Sequence, residues 1–186
     1  MRKLIYAINM TLDGCVDHTK GAADEEVHEY HAQLLRDVGV LAFGRKTYEL
    51  MVPFWPDVAK NHSGPTNAIN EFAQAFVSVS NIIVFSRSLD KADGENTRIV
   101  RANLQDEILK LKEQPGKDIL TGGVDIPSQL VELGLVDEYR FLLQPLIAGE
   151  GRRLFDGLSL PEKLQLKLLE SKFFASGGVA LRYSKQ

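Results

Sequence analysis

VGVLAFGRKTYELM (residues 38–51) passes from an apolar run through one glycine into Arg45, Lys46 and Thr47, then into residues able to start a helix. Continuous rather than alternating apolarity fits a strand buried on both faces, as in a parallel sheet. The same pattern recurs elsewhere. LIYAI (4–8), IIVF (82–85) and IL (119–120) are short apolar runs rich in β-formers, each followed by polar or glycine-rich residues.

Helical spacing fills the intervals. Val27, Tyr30, Leu34, Leu35 and Val38 form one apolar stripe behind an acidic start, with Asp24 placed to cap it. Ile69, Phe72, Ala73, Phe76 and Val77 form a second stripe, and Asn103 is placed to cap a third helix over LQDEILKL. A fourth is predicted from Val124 to about Leu133, with Pro127 in its first turn and Gly134 at the left-handed position that ends helices. The stretch MVPFWPDVAKNHSGPTN (51–67) reads as a surface loop, long enough to be functional. After Gly134 the pattern changes to strand-like EYRFLLQPLI, KLQLKLLESKFF and GVALRYSK, the last two joined by Ala175-Ser176-Gly177-Gly178 as a hairpin or bulged loop. One α/β domain over residues 1–186 is therefore expected, a parallel core extended by antiparallel C-terminal strands.

Composition narrows the function. At 186 residues, 44% hydrophobic and 25% charged, the chain fits one globular domain with a real core. A net charge of −3 provides no general attraction to nucleic acid or anionic membranes, so any anion must be held locally. The single cysteine, Cys15, excludes an internal disulfide and any CxxC motif and fits a reducing compartment. The N-terminal apolar run stops at Asn9, too short for a signal segment, so a cytoplasmic protein is expected.

Three strand ends carry candidate chemistry. Gly44-Arg45-Lys46-Thr47 offers free amides at a helix start plus two cations, a phosphate-binding combination. Ser86-Arg87-Ser88 closes a second strand with a guanidinium between two hydroxyls, suited to the ribose 2′-phosphate that separates NADP from NAD. Thr121-Gly122-Gly123 follows a third strand, where paired glycines let the backbone approach a pyrophosphate. Each alone also fits an ordinary basic or tight turn. Together, at the carboxyl edge of one sheet, they mark the place where open α/β sheets bind ligands.

In order and type these motifs resemble the dihydrofolate reductase-like superfamily, and within it the reductase domain found at the C-terminus of bacterial riboflavin-biosynthesis proteins and its stand-alone relatives. The resemblance runs from IYAINMTLDGCV through GRKTYE, VFSRSL and LTGG to PLIAGEGRRLF, nearly the whole chain. It implies a three-layer fold with a central mixed sheet and helices on both faces, NADPH as hydride donor, and a homodimer. Carried over by position, Gly44, Arg45, Lys46 and Thr47 would hold cofactor phosphates, and Ser86, Arg87 and Ser88 the 2′-phosphate. Thr121, Gly122 and Gly123 would lie against the pyrophosphate, and Asp13 and Gly14 would close over the nicotinamide.

The proton source is open. In dihydrofolate reductases proper a carboxylate from the first helix serves the pterin ring; here that register falls near His28, with Glu25 a turn earlier. Carboxylates in a helix's first turn are held as anions, which makes them poor acids and disfavours folate reduction. His28, Glu25 or water remain as donors. Phe54 and Trp55 are candidates for stacking on a substrate or, equally, for anchoring the loop. Arg152 and Arg153 could meet a substrate phosphate, solvent or a subunit contact. His28 and His31, one turn apart, lack the further ligands a metal needs, so no metal is expected. The expected activity is hydride transfer to a small pyrimidine- or pterin-like heterocycle; the alternative is an NADP(H)-binding protein without turnover.

Overall fold

The computed structural model describes residues 1–21, 23–94 and 96–186. Among the described residues, eight strands form one sheet: β1 Leu4–Thr11, β2 Val38–Gly44, β3 Asn81–Phe85, β4 Thr97–Val100, β5 Asp118–Thr121, β6 Glu138–Gln144, β7 Leu166–Phe173 and β8 Val179–Lys185. Their order is β4-β3-β2-β5-β1-β6-β8-β7. Pairing is parallel from β4 through β6, and antiparallel where β8 meets β6 and β7. Among the same described residues six helices accompany it: α1 Glu25–Asp37, α2 Arg45–Met51, α3 Trp55–Asn61, α4 Asn67–Val77, α5 Leu104–Glu113 and α6 Asp125–Glu132.

The two faces of the sheet follow the period-2 rule for strands. Leu4, Tyr6, Val40, Ala42 and Ile83 face a layer containing Ile108 and Leu111 of α5 and Leu130 and Val131 of α6. Their neighbours Ile5, Leu41, Phe43, Ile82 and Val84 face Leu34 and Leu35 of α1 and Phe72 and Phe76 of α4. This is the three-layer arrangement the resemblance implies. Phe76 is 1% exposed, and truncation to alanine there would cost about 3–5 kcal/mol.

The caps form as the sequence predicts. Asp24 Oδ1 accepts from the Val27 N–H at 2.8 Å, a contact worth about 1 kcal/mol. Asn103 Oδ1 accepts from Gln105 and Asp106, and Gly134 ends α6 at φ +67°. Phe174 to Gly178 closes the last hairpin, with the Phe174 N–H donating to the Gly178 carbonyl at 3.0 Å.

Two expectations need correction. The stretch 51–67 is not a plain loop: α3 lies within it, because Pro56 falls in the first turn, where a missing N–H removes no helical bond. The strand β4 was not foreseen, since four residues of an outer strand, with only Val100 buried, carry little apolar signal. Among the described residues no helix is long and apolar enough to cross a membrane.

Candidate active site

Strands β3, β2, β5 and β1 are consecutive in the sheet, so the segments that follow them share one carboxyl edge. A cavity of about 1190 Å³ opens there, between the sheet, α1, α2 and the start of α6. That exceeds the usual space for one drug-sized ligand, roughly 300–1,000 Å³, and leaves room for a dinucleotide end and a second small molecule.

All three sequence motifs line it. Gly44, Arg45, Lys46 and Thr47 border the cavity from the β2–α2 junction, Ser86, Arg87 and Ser88 from the end of β3, and Thr121, Gly122 and Gly123 from the β5–α6 junction. Two of these segments touch: a Cβ on Gly123 would stand 2.2 Å from Thr47 Oγ1, and Gly123 has φ +83°. Glycine is required there by both conformation and space. Gly44 is nearly as tight, its virtual Cβ 3.0 Å from Ile126 of α6.

The cations differ in availability. Arg45 pairs with Glu49 one turn on, at 3.1 Å. Lys46 and Arg87 are exposed and form no ion pair among the described residues. The Ser86 Oγ accepts from the Ser88 and Leu89 N–H groups at 3.3 and 3.0 Å, shaping the turn that presents Arg87, and its O–H is left to donate. Thr121, fully buried, donates its hydroxyl to the Ala42 carbonyl at 2.8 Å and so fastens β5 to β2 beneath the cavity.

Four expected site residues lie elsewhere. Asp13 and Gly14 are not part of the cavity wall. The Asp13 carboxylate accepts from the Thr11 hydroxyl at 2.5 Å and from the Ala148 and Gly149 N–H groups at 3.0 Å each. These donors, the Thr11 hydroxyl foremost, draw its pKa down to about 2. Asp13 thus ties down the loop after β6. Glu25 is exposed in the first turn of α1 and outside the cavity, because the buried stripe of that helix runs through Val27, Leu34 and Leu35. Phe54, 56% exposed, packs edge-on against Trp55 at 4.9 Å and also lies outside.

Trp55 and His28 do line the cavity. With Phe72 they build one aromatic wall, ring centroids 4.5 Å apart for Trp55 and Phe72 and 5.9 Å for His28 and Phe72. His28 Nδ1 lies 2.8 Å from the Asp24 carbonyl, which can only accept, so Nδ1 carries the proton and Nε2 is the other, uncommitted nitrogen. Of the two late arginines, Arg152 lines the cavity and pairs with Asp125 of α6 at 2.6 Å, while Arg153 donates to the Asp13 carbonyl.

Among the polar lining residues that escaped the sequence reading of the site are Asn9, Gln144 and, except as a rejected metal ligand, His31. His31 Nε2 lies 2.8 Å from Asn9 Oδ1. Enclosure, reinforced by His28 and then Arg140, pulls the His31 imidazole down to about 4, so it is neutral at pH 7. The signal for Asn9 was present: it is the one amide in an otherwise apolar run, on a strand buried at both faces.

The model of the RibD C-terminal domain matches residues 2–180, and the chain belongs to that family. It is 30% identical to YyaP of Bacillus subtilis, an uncharacterized protein, over 98% of this chain and 94% of that one. Among solved structures it superposes on a pyrimidine reductase-like protein of Corynebacterium diphtheriae at 16% identity and a TM-score of 0.66, covering 100% of this chain and 92% of the other. It also superposes on dihydrofolate reductase from Enterococcus faecalis complexed with NADP(H), at 13% identity and a TM-score of 0.64, covering 99% and 96%. At such identities the superpositions establish the shared fold.

Proposed function

We propose that this member of the RibD C-terminal domain family is an NADPH-dependent reductase acting on a small pyrimidine- or pterin-like heterocycle. One observation carries the reading: three separate strand ends, with Lys46 and Arg87 unpaired, converge on one cavity large enough for cofactor and substrate. The family assignment, and the NADP(H) bound to a dihydrofolate reductase of the same fold, support it.

The residues present fit such a cofactor. Lys46 supplies a point charge and Arg87 a planar fork, the side-chain chemistry that phosphate groups need. Gly122 and Gly123 carry no side chain to keep a pyrophosphate from the backbone amides. When bound, NADPH supplies a hydride from nicotinamide C4. Trp55 and Phe72 give the cavity an apolar aromatic wall that would help exclude water from around a bound ring. His28 would deliver the accompanying proton from its doubly protonated form: Nδ1–H stays on the Asp24 carbonyl, Nε2–H gives up its proton, and water restores it.

The alternative, binding without turnover, draws on the position of Glu25 outside the cavity, which removes the one carboxylic acid expected to serve as donor. Absorbance at the nicotinamide band decides between them. The reductase reading expects NADPH to bind below millimolar concentration and to be oxidised faster with some member of a pyrimidine and pteridine panel than without. Tight binding with no oxidation across the panel favours the alternative, and no binding removes both.

We also read the protein as a homodimer. Leu168 and Phe173 on the outermost strand β7 are 51% and 76% exposed on the same face, an apolar edge that a second copy would cover.

A further inference from the structure

We propose that Asn9 is a specificity-determining residue of the cavity and that His31 is the positioning residue that turns its amino group toward the substrate. The inference rests on the reductase reading for the identity of the occupant, and on the geometry alone for the orientation of the amide.

Asn9 sits on the β1 face that carries Ile5 and Ala7 and is covered by α1, where the sheet passes from core into cavity. Its Oδ1 can only accept, so at 2.8 Å the facing His31 Nε2 must carry a hydrogen. Because the enclosed imidazole is neutral at pH 7, one nitrogen bears the proton and Nδ1 is bare. Holding Oδ1 against the helix directs both Nδ2 hydrogens away from it, and they have no partner among the described residues. A half-buried amide left this way calls for an acceptor on the occupant, such as a carbonyl oxygen or an unprotonated ring nitrogen.

The rest of the cavity agrees in charge. Among the described residues three carboxylates line it, and each is engaged: Glu49 with Arg45, Asp125 with Arg152, and Asp17 with the Thr19 N–H and hydroxyl. None stands ready to receive a protonated amidine. Gln144 on β6 presents a second carboxamide from the same face, since it pairs with Thr11 two residues beyond Asn9. Gly21 packs directly against it, where a Cβ would lie 1.9 Å from Gln144 Oε1. The floor beneath the occupant is thus made of uncharged amides. An edge of carbonyl groups complements Asn9 as His31 holds it; an edge of amino groups meets donor with donor.

Two measurements test this. Long-range nitrogen–proton NMR of His31 at pH 7 should report the Nε2–H form; an Nδ1–H form or an imidazolium overturns the orientation. Fluorescence titration should find lumazine, with two ring carbonyls, bound at least about tenfold more tightly than 2,4-diaminopteridine, with amino groups at the same positions. Asn9→Asp should reverse that preference. His31→Leu should reduce it to within about threefold, and His31→Gln, which keeps an N–H donor, should restore most of it. Equal affinity in the unaltered protein, an unchanged preference in Asn9→Asp, or no binding of either probe at millimolar concentration overturns the proposal. NADPH titration of the same samples reports separately on the reductase reading: cofactor binding without heterocycle preference sinks only the role of Asn9.

Discussion

Gly123 and Thr47 come together so closely that a Cβ on the glycine would lie 2.2 Å from the threonine Oγ1. This contact joins the β5–α6 turn to the first turn of α2, and so locks two phosphate-type motifs, far apart in sequence, into one wall. Gly123→Ala should therefore lower stability by about 2–3 kcal/mol, from strain at φ +83° and from the clash. Adding Thr47→Ala should return part of that loss by removing the clashing oxygen while the backbone strain persists. Chemical denaturation of the two single variants and the double variant measures the coupling.

His31 makes stability depend on pH. Its folded pKa of about 4 lies below the ordinary value of 6.5, so the unfolded chain binds the proton more readily between those limits. Stability from this group is fully present above about pH 6.5 and falls as pH drops toward 4, by at most about 3 kcal/mol. His31→Gln should flatten the denaturation free energy over that window. An equally steep profile in the variant would show that other groups carry the dependence.

Asp13 acts in the same sense at lower pH. Its carboxylate is held near 2 by the Thr11 hydroxyl and the Ala148 and Gly149 amides, so its contribution holds above the ordinary carboxylate range and is lost only as pH falls through about 2. Asp13→Asn replaces an acceptor with a group that can turn a donor toward two N–H donors. Hydrogen exchange at Ala148 and Gly149 should speed up by tenfold or more, with little change in the core strands. Unchanged exchange would mean that this loop is held without the Asp13 carboxylate, by bonds such as that from the Leu12 N–H to the Leu146 carbonyl.

The apolar edge of β7 sets a further expectation. Phe173→Glu should shift the protein from dimer to monomer in light scattering while circular dichroism stays unchanged, since Phe173 is 76% exposed within one chain. A unaltered protein that is already monomeric at micromolar concentration would remove the dimer reading.

Much of this architecture was legible in the sequence because it is written in local signals. The apolar runs ending at Phe43, Phe85 and Thr121 marked parallel strands, and Asp24, Asn103 and Gly134 marked helix ends through their own side chains or lack of one. The phosphate-type motifs were legible for the same reason, each being contiguous. What escaped depends on contacts between distant segments. Nothing local distinguishes Asp13 facing a cofactor from Asp13 facing the amides of Ala148 and Gly149, 135 and 136 residues away. Glu25 and His28 share one helix, and only the packing of α1 against α4 and the sheet decides which of them reaches the cavity. Asn9 and His31 acquire a role only when β1 and α1 are stacked.

On the proposed reading this carboxyl edge grips the phosphates of NADPH, with Arg87 reading the 2′-phosphate. Paired titrations of NADPH and NADH against the unaltered protein and Arg87→Ala test it most directly. Loss of one charge-assisted contact, about 1.5–3 kcal/mol, predicts that NADPH weakens by roughly ten- to a hundredfold while NADH changes less than about threefold. Equal weakening of both cofactors, or no change in either, would contradict the account.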